Sequence, residues 1–78
     1  MNTTTEERVS KILATVSGMD SIRLNQSLVT DLGLNSLRAV EVIIAIEDEF
    51  EILFKQSDMS FHKLKTVRDL VALVETYL

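Results

Sequence analysis

Ser36 is the residue whose type and place invite chemistry, a hydroxyl at the start of a predicted helix. A serine there is ordinarily a cap whose oxygen accepts a first-turn N–H. The same position suits an anionic substituent, because helix N-terminal amides and the macrodipole favour negative charge. What the sequence lacks is a group to activate that hydroxyl. Its single histidine, His62, lies far away along the chain and reads as a surface or loop residue. There is no cysteine, so disulfides and thiolate metal sites are excluded, and one histidine cannot build a metal centre. No pair of catalytic groups is discernible, so an enzyme is not expected.

Composition narrows the classes further. A chain of 78 residues allows one small domain, and residues 1–78 are read as such. Its 46% hydrophobic share supports a globular fold resting on apolar packing. The net charge of −4 speaks against nucleic acid, whose affinity depends on Lys and Arg neutralising phosphates. No apolar run approaches the roughly 18 residues of a membrane span, and the N-terminus lacks a signal-peptide pattern. A soluble, cytoplasmic monomer is expected. Charge is unevenly spread: Glu41, Glu47, Asp48, Glu49 and Glu51 crowd one segment, while Lys55, Lys63, Lys65 and Arg68 dominate the next. That contrast suggests an acidic docking face, although a solvated helix surface is the plainer reading.

The elements that must position Ser36 follow from caps and periodicity. A first helix is expected from Thr3 or Thr4, where Thr-x-x-Glu fits a capping box. Val9, Ile12, Leu13 and Val16 give it one apolar face, and Gly18 ends it. Residues 18–35 form a long connection tacked to the core by Ile22, Leu24, Leu28, Leu32 and Leu34. A loop of that length in a small domain is usually functional. The second helix runs from Ser36 to Phe50. A short third element is expected near 58–64, with Met59, Phe61 and Leu64 inward. The last helix opens at Thr66 and carries Val67, Leu70, Val71, Val74, Tyr77 and Leu78 on one face. No strand pattern is present, though Ile52-Leu53-Phe54 could pair with an offered edge. The expectation is an all-α, small four-helix bundle: three main helices, one short one, and a long first loop.

The second helix is apolar on two sides. At about 100° per residue from Leu37, the set Ala39, Val42, Ile43, Ile46 and Phe50 spans roughly 140° to 240°. That arc suffices for a core stripe. Leu37, Val40 and Ile44 form a second arc near 300° to 360°, rimmed by Glu41, Glu47, Asp48 and Glu51. An apolar strip bordered by acids reads as a partner-binding face, unless a loop covers it.

The segment Asp31-Leu32-Gly33-Leu34-Asn35-Ser36-Leu37, which leads into this helix, resembles the acyl carrier protein family. That family has an Asp-Ser-Leu triplet after a Leu-Gly approach, with the serine opening its second helix. The run Val40-Glu41-Val42-Ile43-Ile44-Ala45-Ile46-Glu47-Asp48-Glu49-Phe50 looks like the family's second helix, and Thr66-Val67-Arg68-Asp69-Leu70 is similar to the start of its last. The resemblance covers essentially the whole chain. It implies that a phosphopantetheinyl transferase attaches 4'-phosphopantetheine from coenzyme A to Ser36, and that the arm's thiol carries an acyl thioester. Since this chain offers no base, the base and metal of that transfer must come from the transferase. Acyl-activating, condensing or acyltransferase enzymes would be the other partners.

One departure stands beside the serine. Asn35 occupies the usual aspartate position; it caps a helix equally well but removes a charge, and Arg38 adds one of opposite sign. That change bears on transferase docking, disfavours a housekeeping fatty-acid role and leans toward a specialised fatty acid, polyketide or lipid pathway. Asn35, Leu37, Arg38, Val40, Glu41, Ile44, Glu47 and Asp48 are thus the expected partner-binding residues. Two alternatives stay open: an aminoacyl or peptidyl carrier, and an unmodified helical interaction module.

Overall fold

The computed structural model describes residues 4–59 and 64–78. Helix α1 spans Thr5–Ser17. It begins where expected: Thr4 is the N-cap, its Oγ1 accepting the Glu7 N–H at 3.1 Å, and Glu6 and Glu7 place negative charge in the first turn. Gly18 closes it at φ +74°, and the N–H groups of Gly18 and Met19 both donate to the Ala14 carbonyl.

The long connection is strapped down. Ser27 and Asp31 close a turn on themselves: the Asp31 carboxylate accepts the Ser27 N–H at 2.7 Å, and Ser27 Oγ accepts the Thr30 N–H at 3.0 Å. This turn aims Leu28 and Leu32 into the core, and Leu34 follows them. Two N–H···O bonds flank an isolated antiparallel bridge between Ser27 and Thr66, Leu28 to Lys65 and Val67 to Gln26. Arg68 adds a third, to Leu24. These bonds satisfy part of the loop's backbone polar groups against the start of the last helix.

Helix α2 spans Ser36–Phe50 and α3 spans Val67–Thr76. The α3 start is a complete capping box: Thr66 Oγ1 accepts the Asp69 N–H, and the Asp69 carboxylate accepts the Thr66 N–H. Between α2 and α3 a 3₁₀ turn covers Gln56–Met59. The expected short helix over 58–64 therefore starts earlier; its remainder, with the inward placement of Met59 and Phe61, lies outside what is described. Among the described residues the fold is three α-helices and one 3₁₀ turn, without a strand, and Ile52-Leu53-Phe54 finds no pairing edge. One further correction concerns Leu78. The helix stops at Thr76, so Leu78 falls off the apolar face and is exposed, while Tyr77 turns back to donate its hydroxyl to Asp58.

The core gathers Val9 and Leu13 from α1, Val42, Ile43, Ile46 and Phe50 from α2, and Val67, Leu70, Val71 and Val74 from α3. Leu28, Leu32 and Leu34 of the loop complete it, with Phe54 and Leu64. Helices α1 and α2 run antiparallel, pinned at both ends. Arg8 forms a 2.9 Å ion pair with Glu49 and lies 4.2 Å over the Phe50 ring. At the other end Arg38 donates to the Val16 carbonyl at 3.0 Å.

Candidate functional site

Ser36 is the first helical residue of α2 and is exposed. It is not the cap. Asn35 takes that role, its Oδ1 accepting the Arg38 N–H at 2.9 Å while its own carbonyl accepts the Ala39 N–H at 2.8 Å. The Ser36 hydroxyl makes no hydrogen bond among the described residues, and the amides of Ser36 and Leu37 have no acceptor there. The first turn of α2 contains no acid. A hydroxyl without a partner, beside open amides at a helix N-terminus whose first turn holds no acid, fits a phosphodiester.

The approach to Ser36 is anchored to the core. Leu32 and Leu34 are buried on either side of Gly33, which takes φ +68°, a conformation that costs a residue with a Cβ about 1–2 kcal/mol. Nothing crowds the place where a Cβ would stand, so the backbone angle alone asks for glycine. The Leu34 N–H donates to the Leu28 carbonyl at 3.0 Å, tying the last loop residues to the Ser27–Asp31 turn.

The two arcs of α2 separate as the helical wheel requires. Val42, Ile43, Ile46 and Phe50 are buried, whereas Leu37, Val40 and Ile44 are 69%, 53% and 60% exposed. No described loop covers the second set. Its acidic rim is less uniform than the sequence suggests. Glu41 and Asp48 are exposed, with Glu41 near the Arg38 guanidinium at 3.8 Å. Glu47 is half-buried and spends its carboxylate on the Phe54 N–H at 2.9 Å, which fixes the chain as it leaves α2. Arg38 likewise has a structural duty, satisfying a last-turn carbonyl of α1 that has no helical partner. Sequence reading misses two more exposed apolar residues, Val29 and Leu53. Val29 falls out of step with its neighbours Leu28 and Leu32 at helical spacing, a signal available in the sequence.

A seam of about 380 Å³ runs between α1 and α2, lined among others by Lys11, Ile12, Val16 and Ala45 and crossed by the Arg8–Glu49 pair. Among the described residues no cluster of His, Cys, Asp and Glu could hold a metal. No helix there is long and apolar enough to cross a membrane.

Known proteins resemble this chain along most of its length. The family model described as a phosphopantetheine attachment site matches residues 7–74. An acyl carrier protein from Clostridium acetobutylicum is 36% identical over 73 residues, which cover 91% of this chain and 92% of that protein. A solved structure assigned as an acyl carrier protein from Mycobacterium tuberculosis superposes with a TM-score of 0.86 at 33% identity, covering 96% of this chain and 100% of the other.

Proposed function

The chain belongs to the phosphopantetheine-bearing acyl carrier proteins, and on that premise we propose that Ser36 is the attachment point of its arm. Proteins of this family are carriers and not enzymes; they meet modifying and acyl-processing enzymes in turn. When bound, the phosphopantetheine arm supplies a terminal thiol that carries an acyl group as a thioester. The chain's own residues do the rest. The Ser36 oxygen would take the phosphopantetheinyl phosphorus as the coenzyme A diphosphate bond broke and the adenosine bisphosphate half left, with the serine proton going to a base on the transferase. Asn35 holds the helix start, and buried Leu32 and Leu34 hold the approach, so the attachment point does not wander. The observation that carries this reading is the exposed, unbonded Ser36 hydroxyl at the first position of a capped helix.

Leu37, Val40 and Ile44 are the docking strip for partner enzymes, with Glu41 and Asp48 steering those that present basic surfaces. A transient carrier needs a small interface that it can leave. The whole of residues 1–78 acts as one carrier domain in the cytoplasm. Asn35 and Arg38 beside the serine favour a specialised fatty acid, polyketide or lipid pathway over a housekeeping one.

The test is intact-mass analysis after incubation with a phosphopantetheinyl transferase and coenzyme A. Wild type gains the mass of one arm; Ser36→Ala gains none. Because Ser36 is not the cap, Ser36→Ala should cost less than the roughly 1 kcal/mol of a lost cap and remain folded. An arm found on another serine of Ser36→Ala would overturn the assignment.

A further inference from the structure

The exposed face of α2 is electrically two-ended. Asp48 and Glu51 stand at its C-terminal end and Glu41 one turn from Arg38, all exposed. At its N-terminus the cap is an uncharged amide, the first turn has no acid, and Arg38 is the only ionised side chain from 35 to 40. Arg38 is also held in place. Its Nη1 donates to the Val16 carbonyl at 3.0 Å and stands 3.8 Å from Glu41, yet 53% of the side chain remains exposed. A guanidinium has five donors in a rigid fork, and this anchor occupies one nitrogen. The rest are pre-oriented, which lowers the entropic cost of engaging a partner.

Position around the helix says what that partner is. Ser36 and Arg38 lie about 160° apart on the wheel, and Arg38 leans onto α1. Its exposed donors are therefore on another side of the helix from the group carried by the serine. The transferase is the partner that must cover this end, because its reacting centre has to reach the Ser36 oxygen itself. Enzymes working at the far end of the arm can sit elsewhere. A basic side chain opposite Arg38 would place like charges across the contact and disfavour it. A carboxylate would instead meet the guanidinium fork in bidentate fashion.

We infer that Arg38 is a specificity-determining residue for loading: the transferase that modifies this chain presents an Asp or Glu side chain to the Arg38 guanidinium. The inference rests on Ser36 as the attachment point.

The experiment measures kcat/KM for loading by the source organism's own transferase, with coenzyme A, at low and high salt. Wild type is compared with Arg38→Lys, Arg38→Gln and Arg38→Glu. Glutamine keeps an N–H donor for the Val16 carbonyl but no charge. Arg38→Glu should load at least ~10-fold more slowly at low salt, with Arg38→Gln and Arg38→Lys falling between it and wild type, lysine keeping the charge but not the bidentate fork. The differences should close toward 1 M salt, where the screening length is about 3 Å. Reversing exposed transferase carboxylates to Lys, one at a time, should yield one variant that restores loading of Arg38→Glu. Thermal unfolding of all four carriers separates charge from fold. Equal or faster loading of Arg38→Glu at low salt overturns the inference. So does a loss shared by Arg38→Lys and untouched by salt, which would make Arg38 a brace for α1 alone. No mass gain on wild type would refute the Ser36 reading itself, and this inference with it.

Discussion

Ile44 and Ile46 are two residues apart on α2, and truncating each in turn separates docking from packing. Ile46 is fully buried, so Ile46→Ala should cost the roughly 2–5 kcal/mol of a core isoleucine cut to alanine. Ile44 is 60% exposed, and only about two-fifths of its surface is covered. Full burial of such a side chain is worth about 1.5–3 kcal/mol, so the covered share accounts for roughly 0.6–1.2 kcal/mol. Alanine returns several tenths of a kcal/mol through its higher helix propensity. The net cost of Ile44→Ala is therefore ~0.5 kcal/mol. In a domain this small, 1 kcal/mol moves Tm by about 4–8 °C. Ile44→Ala should melt within roughly 2–4 °C of wild type, and Ile46→Ala at least ~8 °C below it. Transferase kinetics should invert that order: Ile44→Ala loses about 5-fold or more in kcat/KM, as for a truncated interface anchor worth ~1 kcal/mol or more. Ile46→Ala, measured below its own Tm, should load close to wild type. A loss of 2 kcal/mol or more in Ile44→Ala would mean that the residue is core. Unchanged loading of a stable Ile44→Ala would remove the strip from the docking surface.

Two further outcomes concern the ends of helices. Asn35→Ala removes the acceptor for the Arg38 N–H and should cost about 1 kcal/mol by denaturant unfolding, whereas Asn35→Asp keeps the acceptor and should match or slightly exceed wild type. Asp69 has its carboxyl held below the ordinary value of 3.8, chiefly by the backbone N–H of Thr66 and then that of Lys65. A depressed folded-state pKa gives stability that is present above 3.8 and lost as pH falls through the folded value. Acid titration of unfolding should therefore show a shallower decline below that pH in Asp69→Asn than in wild type, from a lower starting stability. An identical acid limb would show that the capping box does not couple to pH.

Four helix ends were legible because their caps are local. Thr4 with Glu7, Gly18 with Ala14, Asn35 with Arg38 and Thr66 with Asp69 all interact within four residues, so the sequence carries both partners in one glance. The two arcs of α2 were legible for a similar reason, since helical geometry converts spacing into direction without knowledge of neighbours. Even so, the sequence left the cap ambiguous between Asn35 and Ser36. The structure assigns it to Asn35, and Ser36 becomes a hydroxyl with nothing to hold.

By itself, then, the sequence determined the helices, the family and the serine that sits at the start of α2. The tertiary structure decided what the surrounding charges do. Arg38 meets Val16 across 22 positions, Arg8 meets Glu49 across 41, and the Glu47 carboxylate turns to the Phe54 amide after the helix has ended. Side chains whose partners the sequence does not name divide into braces and exposed charge. Which is which depends on where a carbonyl or amide at the end of one helix lies unsatisfied beside another, and that juxtaposition exists only once α1, α2 and the chain that follows have packed.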